Sequence, residues 1–532
     1  MSRSGRRILW IICGTAVSFA PALFFSFVSD DFTLIETART SSIKTLFSSE
    51  SWVYYRPLLL LSYAIEHTFW KASPAGYHAT NVVLHVFNTV LVCILARRIL
   101  GKQGASWIFA GILFGLTPVH ASSVLWICGR TDLLCGTFYL ISLLTFLFYL
   151  KKRRSLLQVV SIFSFIVALL CKEMAVSIPL LCFIWAIILF AKEDNFKNSL
   201  AKALKSSWIY FVGLTLYFIA RYLLFGHLPK SPFQATPPLG DFLTNIGRYG
   251  VGLIFPLDLE VIKPFLRPHP NLLLVASLVG IGIFLVLLRF MHSRRPFVLA
   301  SMWIGITLLP VLKFSGPWYL YIPSVGVALG LGYLSGTFVW EGNIAWIHRW
   351  LVVTILLGVH LLGLAQIEHN TMIASGMSEQ VLSDLIQYVP ASKKAILINS
   401  PAQYRGVPVF GEKGNLLRGL QLLGHPRQLQ VLTSVRYAAP KEAIRIVFNR
   451  AERRITASLE GGHNFFQFDT DMIRFWVRPH PGDVYQTPDG AIEVADLNAM
   501  GRPSSVVLQP TWLEDTSIPV LAYSECQISF IK

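Results

Sequence analysis

The apolar positions of this chain fall in long runs, with little of the alternation that marks a half-buried strand. Runs near residues 8–28, 78–97, 105–121, 133–150, 156–172, 174–191, 207–224, 271–290, 297–313, 319–339 and 350–367 approach the ~20 residues a helix needs to cross a bilayer. The pattern predicts about eleven transmembrane helices. Two more apolar stretches are too short to span, "RPLLLLSYAIEHTFW" between 29 and 77 and "FLTNIGRYGVGLIFP" between 226 and 270. They read as helices lying in the membrane interface. Beyond residue 370 the long runs stop. Short pieces such as "KAILINS", "QLQVLTSV", "EAIRIVF" and "GAIEVADL" are separated there by Gly, Pro, Asn and Asp, as strands are. One helix-like piece, "NLLRGLQLLG", interrupts them. The fold class expected is an α-helical polytopic membrane protein over 1–370, followed by a soluble β-rich α/β domain over 371–532.

Composition supports this division. Hydrophobic residues make up 54% of the 532 residues and charged residues 14%, against about 25% charged in a soluble domain. The formal net charge of +17 would suit a nucleic-acid partner, but its placement excludes one. The basic clusters "RSGRR", "ARRILGK", "KKRR" and "RFMHSRR" sit in loops that all fall on one side of the membrane, the positive-inside pattern. That orientation puts the N-terminus in the cytoplasm and the C-terminal domain outside. The chain has no Asn-x-Ser/Thr sequon, and a bacterial inner membrane with a periplasmic C-terminal domain is expected. The first run has a basic front but no small-x-small cleavage site, so it reads as a retained helix. Cys13, Cys93, Cys171 and Cys182 lie in apolar runs; Cys128 and Cys135 flank one outer loop, which leaves a disulfide open. No zinc-type spacing occurs.

The non-cytoplasmic side is sparse in charge, and its charges are of both signs. "SDDFTLIETA" places Asp30 and Asp31 where the first helix leaves the membrane. Three readings are open: solvated loop or helix N-cap residues, a general base with its neighbour, or a metal site. A carboxylate held near lipid has a raised pKa, which suits proton abstraction near neutrality. No third metal ligand is evident, and a need for a divalent ion is left open. Arg56 opens the first interfacial helix, as either a phosphate-binding guanidinium or a snorkelling side chain. His120, Arg130 and Asp132 come from "GLTPVHASSVLWICGRTDLLCG"; Arg130 and Asp132 either pair with each other or, with His120, face the cavity of Asp30. Lys172 and Glu173 occupy a turn between two spans, as a solvated turn or as part of the same cavity. Arg221 and Lys263 complete the candidates, with Lys313, Trp318, Tyr319 and Tyr321 near the interface.

The motifs "FVSDDFTLIETA", "YYRPLLLLSYAIEHTFW", "LTPVHASSVLWICGRTDLLCGTFYLISLL", "ALLCKEMAVSIPLL" and "WYLYIPSVGVALGLG" occur in this order. Together, over roughly residues 20–340, they resemble the membrane part of the transmembrane and tetratricopeptide-repeat O-mannosyltransferases and their bacterial relatives, within the GT-C superfamily of polytopic glycosyltransferases. The resemblance implies a membrane glycosyltransferase that takes a sugar from a polyprenyl-phosphate donor. The sugar goes to an acceptor hydroxyl on the outer face, with inversion, and the acceptor is a glycan, lipid or protein. It puts the base at Asp30 or Asp31 without choosing between them. It points to Arg56, Arg130, Asp132, Lys172 and Glu173 as cavity residues, and cations among Arg56, Arg130, Lys172 and Lys263 would hold the donor phosphate. It carries no cofactor besides the lipid-linked sugar. Two other classes stay open: a transporter or flippase of lipid-linked sugars, whose charges would bind a headgroup, and a noncatalytic membrane scaffold.

Overall fold

The computed structural model describes residues 3–48, 54–101, 105–226, 239–254, 295–314, 316–337 and 343–390, and, with interruptions, 394–530. The chain is mostly helical. Among the described residues five helices are long and apolar enough to cross a membrane: Ser4–Phe24, Pro74–Ile99, Ile127–Lys152, Glu173–Phe190 and Phe196–Phe225. A sixth is the pair Ser106–Leu116 and Pro118–Val124, bent by 43°. Pro118 has no N–H to continue the helical ladder, so the run at 105–121 breaks there. Ser155–Cys171 and Arg295–Val311 are shorter apolar helices. The protein is an integral multi-pass membrane protein. The expected count of about eleven spans is not reached among the described residues, and the run at 271–290 lies outside them.

The helices begin and end where their sequences provide caps. Asn195 accepts the Asn198 amide at 2.9 Å and starts Phe196–Phe225, which stops at Gly226 with φ +70°. Arg97 and Arg98 close Pro74–Ile99, and Lys151 and Lys152 close Arg130–Lys152. Arg130, Lys172 and Arg221 belong to the opposite ends of their helices. The basic loops and the candidate site residues therefore lie at opposite ends of the bundle. The bundle core contains Phe19, Leu95, Trp107, Leu143, Trp185 and Trp303. Small residues let helices approach closely: a Cβ on Gly332 would lie 2.8 Å from the Ser106 carbonyl, and one on Gly136 would lie 2.8 Å from the Tyr321 ring.

A second core lies at the end of the bundle that carries Asp30. It joins Phe32, Leu34 and Ile35 of the helix Asp30–Thr40 to Leu59, Leu60 and Tyr63 of Pro57–Trp70. It continues through Val381, Leu382 and Leu385 into Ala395, Leu397, Phe410, Leu416 and Leu420. The "RPLLLLSYAIEHTFW" stretch is the helix Pro57–Trp70, with Leu59 and Leu60 inside and Phe69 exposed. The second short stretch is the helix Leu239–Ile254.

One helix, Asn343–Tyr388, runs through the boundary expected at 370/371. Strands begin only at Lys394. In one sheet Lys394–Pro401 pairs in parallel with both Val520–Ser524 and Gln428–Ser434, with Ile396 opposite Val520 and Gln430. The helix Lys413–Leu422 lies in the crossover between two of these parallel strands. The other main sheet is antiparallel, in the order Ile444–Asn449, Arg454–Leu459, Pro503–Pro510, Gly490–Leu497, Val484–Thr487. No disulfide joins Cys128 and Cys135. Both are free and buried; the Cys128 amide donates to Asp31, and the Cys135 thiol lies 3.8 Å from the Lys172 carbonyl.

A Cβ on Gly129 would lie 2.5 and 2.6 Å from the Ser123 and Ser122 carbonyl oxygens, which are backbone and cannot swing aside. Gly129→Ala is expected to lose about 1–3 kcal/mol of stability. Gly14→Ala, with nothing within 4 Å of its added Cβ, should not. Thermal unfolding of the purified protein in detergent separates the two.

Candidate functional site

The turn into the helix Asp30–Thr40 sets the geometry of the carboxylates. Ser29 has φ +50° and ψ −125°, a conformation that L residues rarely adopt, and its amide donates to the Val409 carbonyl at 2.6 Å. Asp30 and Asp31 follow in the first helical turn, where the helix dipole favours negative charge. Their side chains then part. Asp31 is fully buried; its Oδ2 accepts the Val28 amide at 3.1 Å and its Oδ1 the Cys128 amide at 2.8 Å. It staples the start of the helix Asp30–Thr40 to the turn that opens Arg130–Lys152. Burial pushes its carboxyl up to about 8, against the two amides, which pull the other way. Asp30 is half-buried and, among the described residues, accepts one side-chain hydrogen bond, from Asn415 Nδ2 at 3.2 Å. Burial raises its pKa and the Asn415 bond lowers it.

The cations divide into two sets. Arg130 is wholly buried. It donates through Nε to Asn81 Oδ1 at 2.9 Å and through Nη2 to the Tyr77 carbonyl at 2.8 Å, and it pairs closely with Glu66. Its guanidinium lies 4.7 Å from the centre of the Tyr63 ring. Arg130 thus ties three helices together through donors already engaged, and it does not pair with Asp132. Asp132 pairs instead with Lys172 at 2.5 Å, both side chains 2% exposed, with the ammonium 4.8 Å from the Tyr319 ring centre. Of the two readings of Lys172, the solvated turn does not hold, because its side chain is buried.

The second set is more open. Arg56 reaches Glu173 through Nε at 3.2 Å and Nη2 at 2.8 Å, and lies 4.5 Å from the Tyr54 ring centre. Arg221 lies 3.6 Å from the same carboxylate and donates to the Tyr217 hydroxyl at 3.1 Å. Two guanidiniums therefore share Glu173. Among the described residues, the Lys172–Asp132 pair belongs to the same group of charges, since Arg56 and Glu173 both act on Asp132.

His120 is elsewhere. It is fully buried among Phe114, His85 and Tyr321, with Nε2 2.7 Å from Ser324 Oγ. It belongs to a polar seam of the helical core, so the expectation that it shares the cavity of Asp30 is not met. Lys263 lies outside the described residues, and Lys313 is exposed. Among the described residues no group of three His, Cys, Asp or Glu could hold a metal. An apolar crevice deeper in the bundle is lined by Phe114, Gly136, Trp303, Tyr321 and their neighbours, none of them a candidate site residue.

Sequence reasoning missed Glu66 as the partner of Arg130, although it is the single carboxylate of an otherwise apolar helix. It also missed Asn415, whose contact with Asp30 spans 385 positions.

Comparison with known proteins finds protein O-mannosyl-transferase TMTC3 of Mus musculus, 27% identical over 202 residues, 34% of this chain and 21% of that protein. Protein O-mannosyl-transferase Tmtc1 of Drosophila melanogaster is 36% identical over 129 residues, 24% and 15% of the two chains. This chain is similar to the protein O-mannosyl-transferases. Protein O-mannosyl-transferase tmtc2 of Xenopus laevis is 29% identical over 199 residues, 35% and 24% of the two chains. The match spans between about a seventh and a quarter of these O-mannosyl-transferases. No protein-family model matches. The crystal structure of ArnT from Cupriavidus metallidurans bound to undecaprenyl phosphate overlays with a TM-score of 0.43 at 13% identity, covering 84% of this chain and 97% of that one.

Removing Glu66 leaves the Arg130 guanidinium buried without its carboxylate. Glu66→Ala is expected to lose about 3–5 kcal/mol of stability, whereas Lys313→Ala at the surface should stay within about 0.5 kcal/mol. Thermal unfolding reads both, and equal losses would contradict the assignment.

Proposed function

We propose that this protein is a membrane glycosyltransferase of GT-C type that moves a sugar from a polyprenyl-phosphate donor to an acceptor hydroxyl. In the orientation set by the basic loops, the site and the C-terminal strands lie on the non-cytoplasmic, periplasmic face. The observation that carries the reading is that Asp30, which accepts one side-chain hydrogen bond among the described residues, lies at the end of the bundle where Arg56 and Arg221 converge on Glu173.

The chemistry fits these parts. A polyprenyl carrier stays in the bilayer, so transfer must occur at the membrane surface. The Asp30 carboxylate takes the hydroxyl proton of the acceptor as its oxygen forms the new bond to the anomeric carbon. The bond from that carbon to the phosphate oxygen breaks and its electron pair leaves on the polyprenyl phosphate. Attack opposite the leaving group inverts the centre. The departing phosphate is an anion that needs cations in place before it forms. Arg56 and Arg221, which share one carboxylate, are the groups assigned to it, as guanidiniums bind phosphate through parallel donors. Lys172 stays in its buried pair with Asp132 and orders the wall of the site. Asp31 and Arg130 act as the framework, because their polar atoms already hold backbone amides, carbonyls and Glu66. In this reading Asp30 is the base, because both oxygens of Asp31 already accept backbone amides.

Transfer of a labelled sugar from polyprenyl phosphate to an acceptor by the purified protein tests this. Asp30→Asn should cut turnover by about 10²–10⁴-fold, the range of a general base. Arg56→Ala should chiefly raise KM for the donor. A base must be unprotonated to act, and burial raises the pKa of Asp30. The rate should therefore fall on acidification at a pH above the ordinary carboxylate range. Wild-type turnover by Asp30→Asn would remove the assignment.

A further inference from the structure

The side chain that touches Asp30 comes from the C-terminal part of the protein. Asn415 lies in the first turn of the helix Lys413–Leu422 and is 4% exposed. Its Nδ2 donates to Asp30 Oδ1 at 3.2 Å and to the Phe410 carbonyl at 2.7 Å, and its Oδ1 accepts from Thr33 Oγ1 at 2.6 Å. The Phe410 carbonyl can only accept, so the amide's orientation is fixed: its NH2 side faces both Phe410 and the carboxylate. Both amide hydrogens and the amide oxygen are then engaged.

The segment leading to Asn415 is clamped to the same turn. Val409 accepts the Ser29 amide at 2.6 Å, and the Phe410 ring stacks on Phe32 at 6.0 Å. Gly411, at φ +66°, approaches so closely that a Cβ there would lie 3.1 Å from Ser29 Oγ. A Cβ on Gly419 would lie 3.1 Å from the Phe32 ring. Chain segments 385 positions apart thus meet around Asp30 and its neighbours Ser29 and Phe32.

We propose that Asn415 is a positioning residue for the catalytic carboxylate, so that the C-terminal region completes the active site by holding Asp30 in register with the acceptor hydroxyl. The inference rests on Asp30 being the base of the transfer reaction. A carboxylate that accepts one fixed donor has one oxygen directed and the other left for the substrate proton. Without that donor the side chain can rotate, and its charged form loses a partner. Other groups also bear on Asp30. Asp31 acts from its own helix, Tyr54 from the segment before Pro57–Trp70 and Cys128 from the turn before Arg130–Lys152. The helix Lys413–Leu422 adds the exposed Arg418. None of the other groups has a hydrogen bond to the Asp30 carboxylate among the described residues.

The test uses the full chain in detergent, with two readouts: the pH–rate profile of sugar transfer, and carbodiimide labelling of Asp30 against pH, located by peptide mass spectrometry. Asn415→Leu keeps the size of the side chain and removes the donor. It should lower kcat by about ten- to a hundredfold with little change in donor KM, and move the acid limb and the labelling midpoint up by about one pH unit. Asn415→Gln, which can still donate, should recover most of both. Thr33→Val cuts the same helix-to-helix link without touching the Asp30 donor, and should leave the acid limb where the wild type has it. An acid limb unmoved in Asn415→Leu, or shifted equally in Thr33→Val, overturns the proposal. Labelling needs no turnover, so the two readings fail separately. A midpoint that moves in a protein without transferase activity overturns the base assignment, and with it catalytic positioning, while the contact itself stands. A midpoint that stays put in an active enzyme overturns the role of Asn415 alone.

Discussion

A carboxylate next to a bilayer is stable only if something in the protein replaces the water it has lost, and the end of this molecule that carries Asp30 is organised around that constraint. Asp31 meets it with two backbone amides, from Val28 and Cys128, and in doing so fastens the helix Asp30–Thr40 to the start of Arg130–Lys152. Asp132 meets it with Lys172, and Glu66 with Arg130. Each of these groups would be costly to leave unpartnered in a low-dielectric setting. Once they are paired, the ends of the helices around them have little freedom to move. Asp30 is the exception, half-open and held by one amide.

The contrast between paired and half-paired charge is what gives the site its chemistry. A carboxylate with both oxygens engaged, as in Asp31, is a scaffold. Under the proposed function, Asp30, with one side-chain donor among the described residues, would take the proton, and Arg56 and Arg221, which meet at Glu173, would hold the phosphate. The strained Ser29 backbone fits the same picture, since an unfavourable φ survives only where surrounding contacts overdetermine it. Here those contacts are the Val409 carbonyl and the stacked Phe32 and Phe410 rings. The C-terminal segment is therefore part of the carboxylate's support and not an appendage to the membrane bundle.

Much of this was legible in the chain itself. Apolar runs of membrane length mark where helices lie, and the Lys and Arg clusters mark which ends belong together. Charges as scarce as Asp30, Arg56 and Lys172 stand out against an apolar background. Pairing was not legible. Arg130 and Asp132 are two positions apart, about 200° around a helix, so they point to different neighbours; one finds Glu66 and the other Lys172, each at long sequence separation. His120 has the composition of a site residue, yet its helix turn directs it into the core, against Phe114 and Tyr321. Asn415 sits in a helix-like piece of a strand-rich segment, and nothing local relates it to position 30. Propensity and periodicity report local geometry, whereas these contacts arise from tertiary packing.

The most direct measurement of the central claim is an experimental structure of the full chain with a polyprenyl phosphate bound. The account predicts phosphate oxygens within hydrogen-bond reach of Arg56 and Arg221, the isoprenoid tail running into the bilayer, and the Asp30 carboxylate facing the place where the sugar's anomeric carbon would lie. A headgroup seated away from these guanidiniums, or an Asp30 turned away from it, would contradict the account.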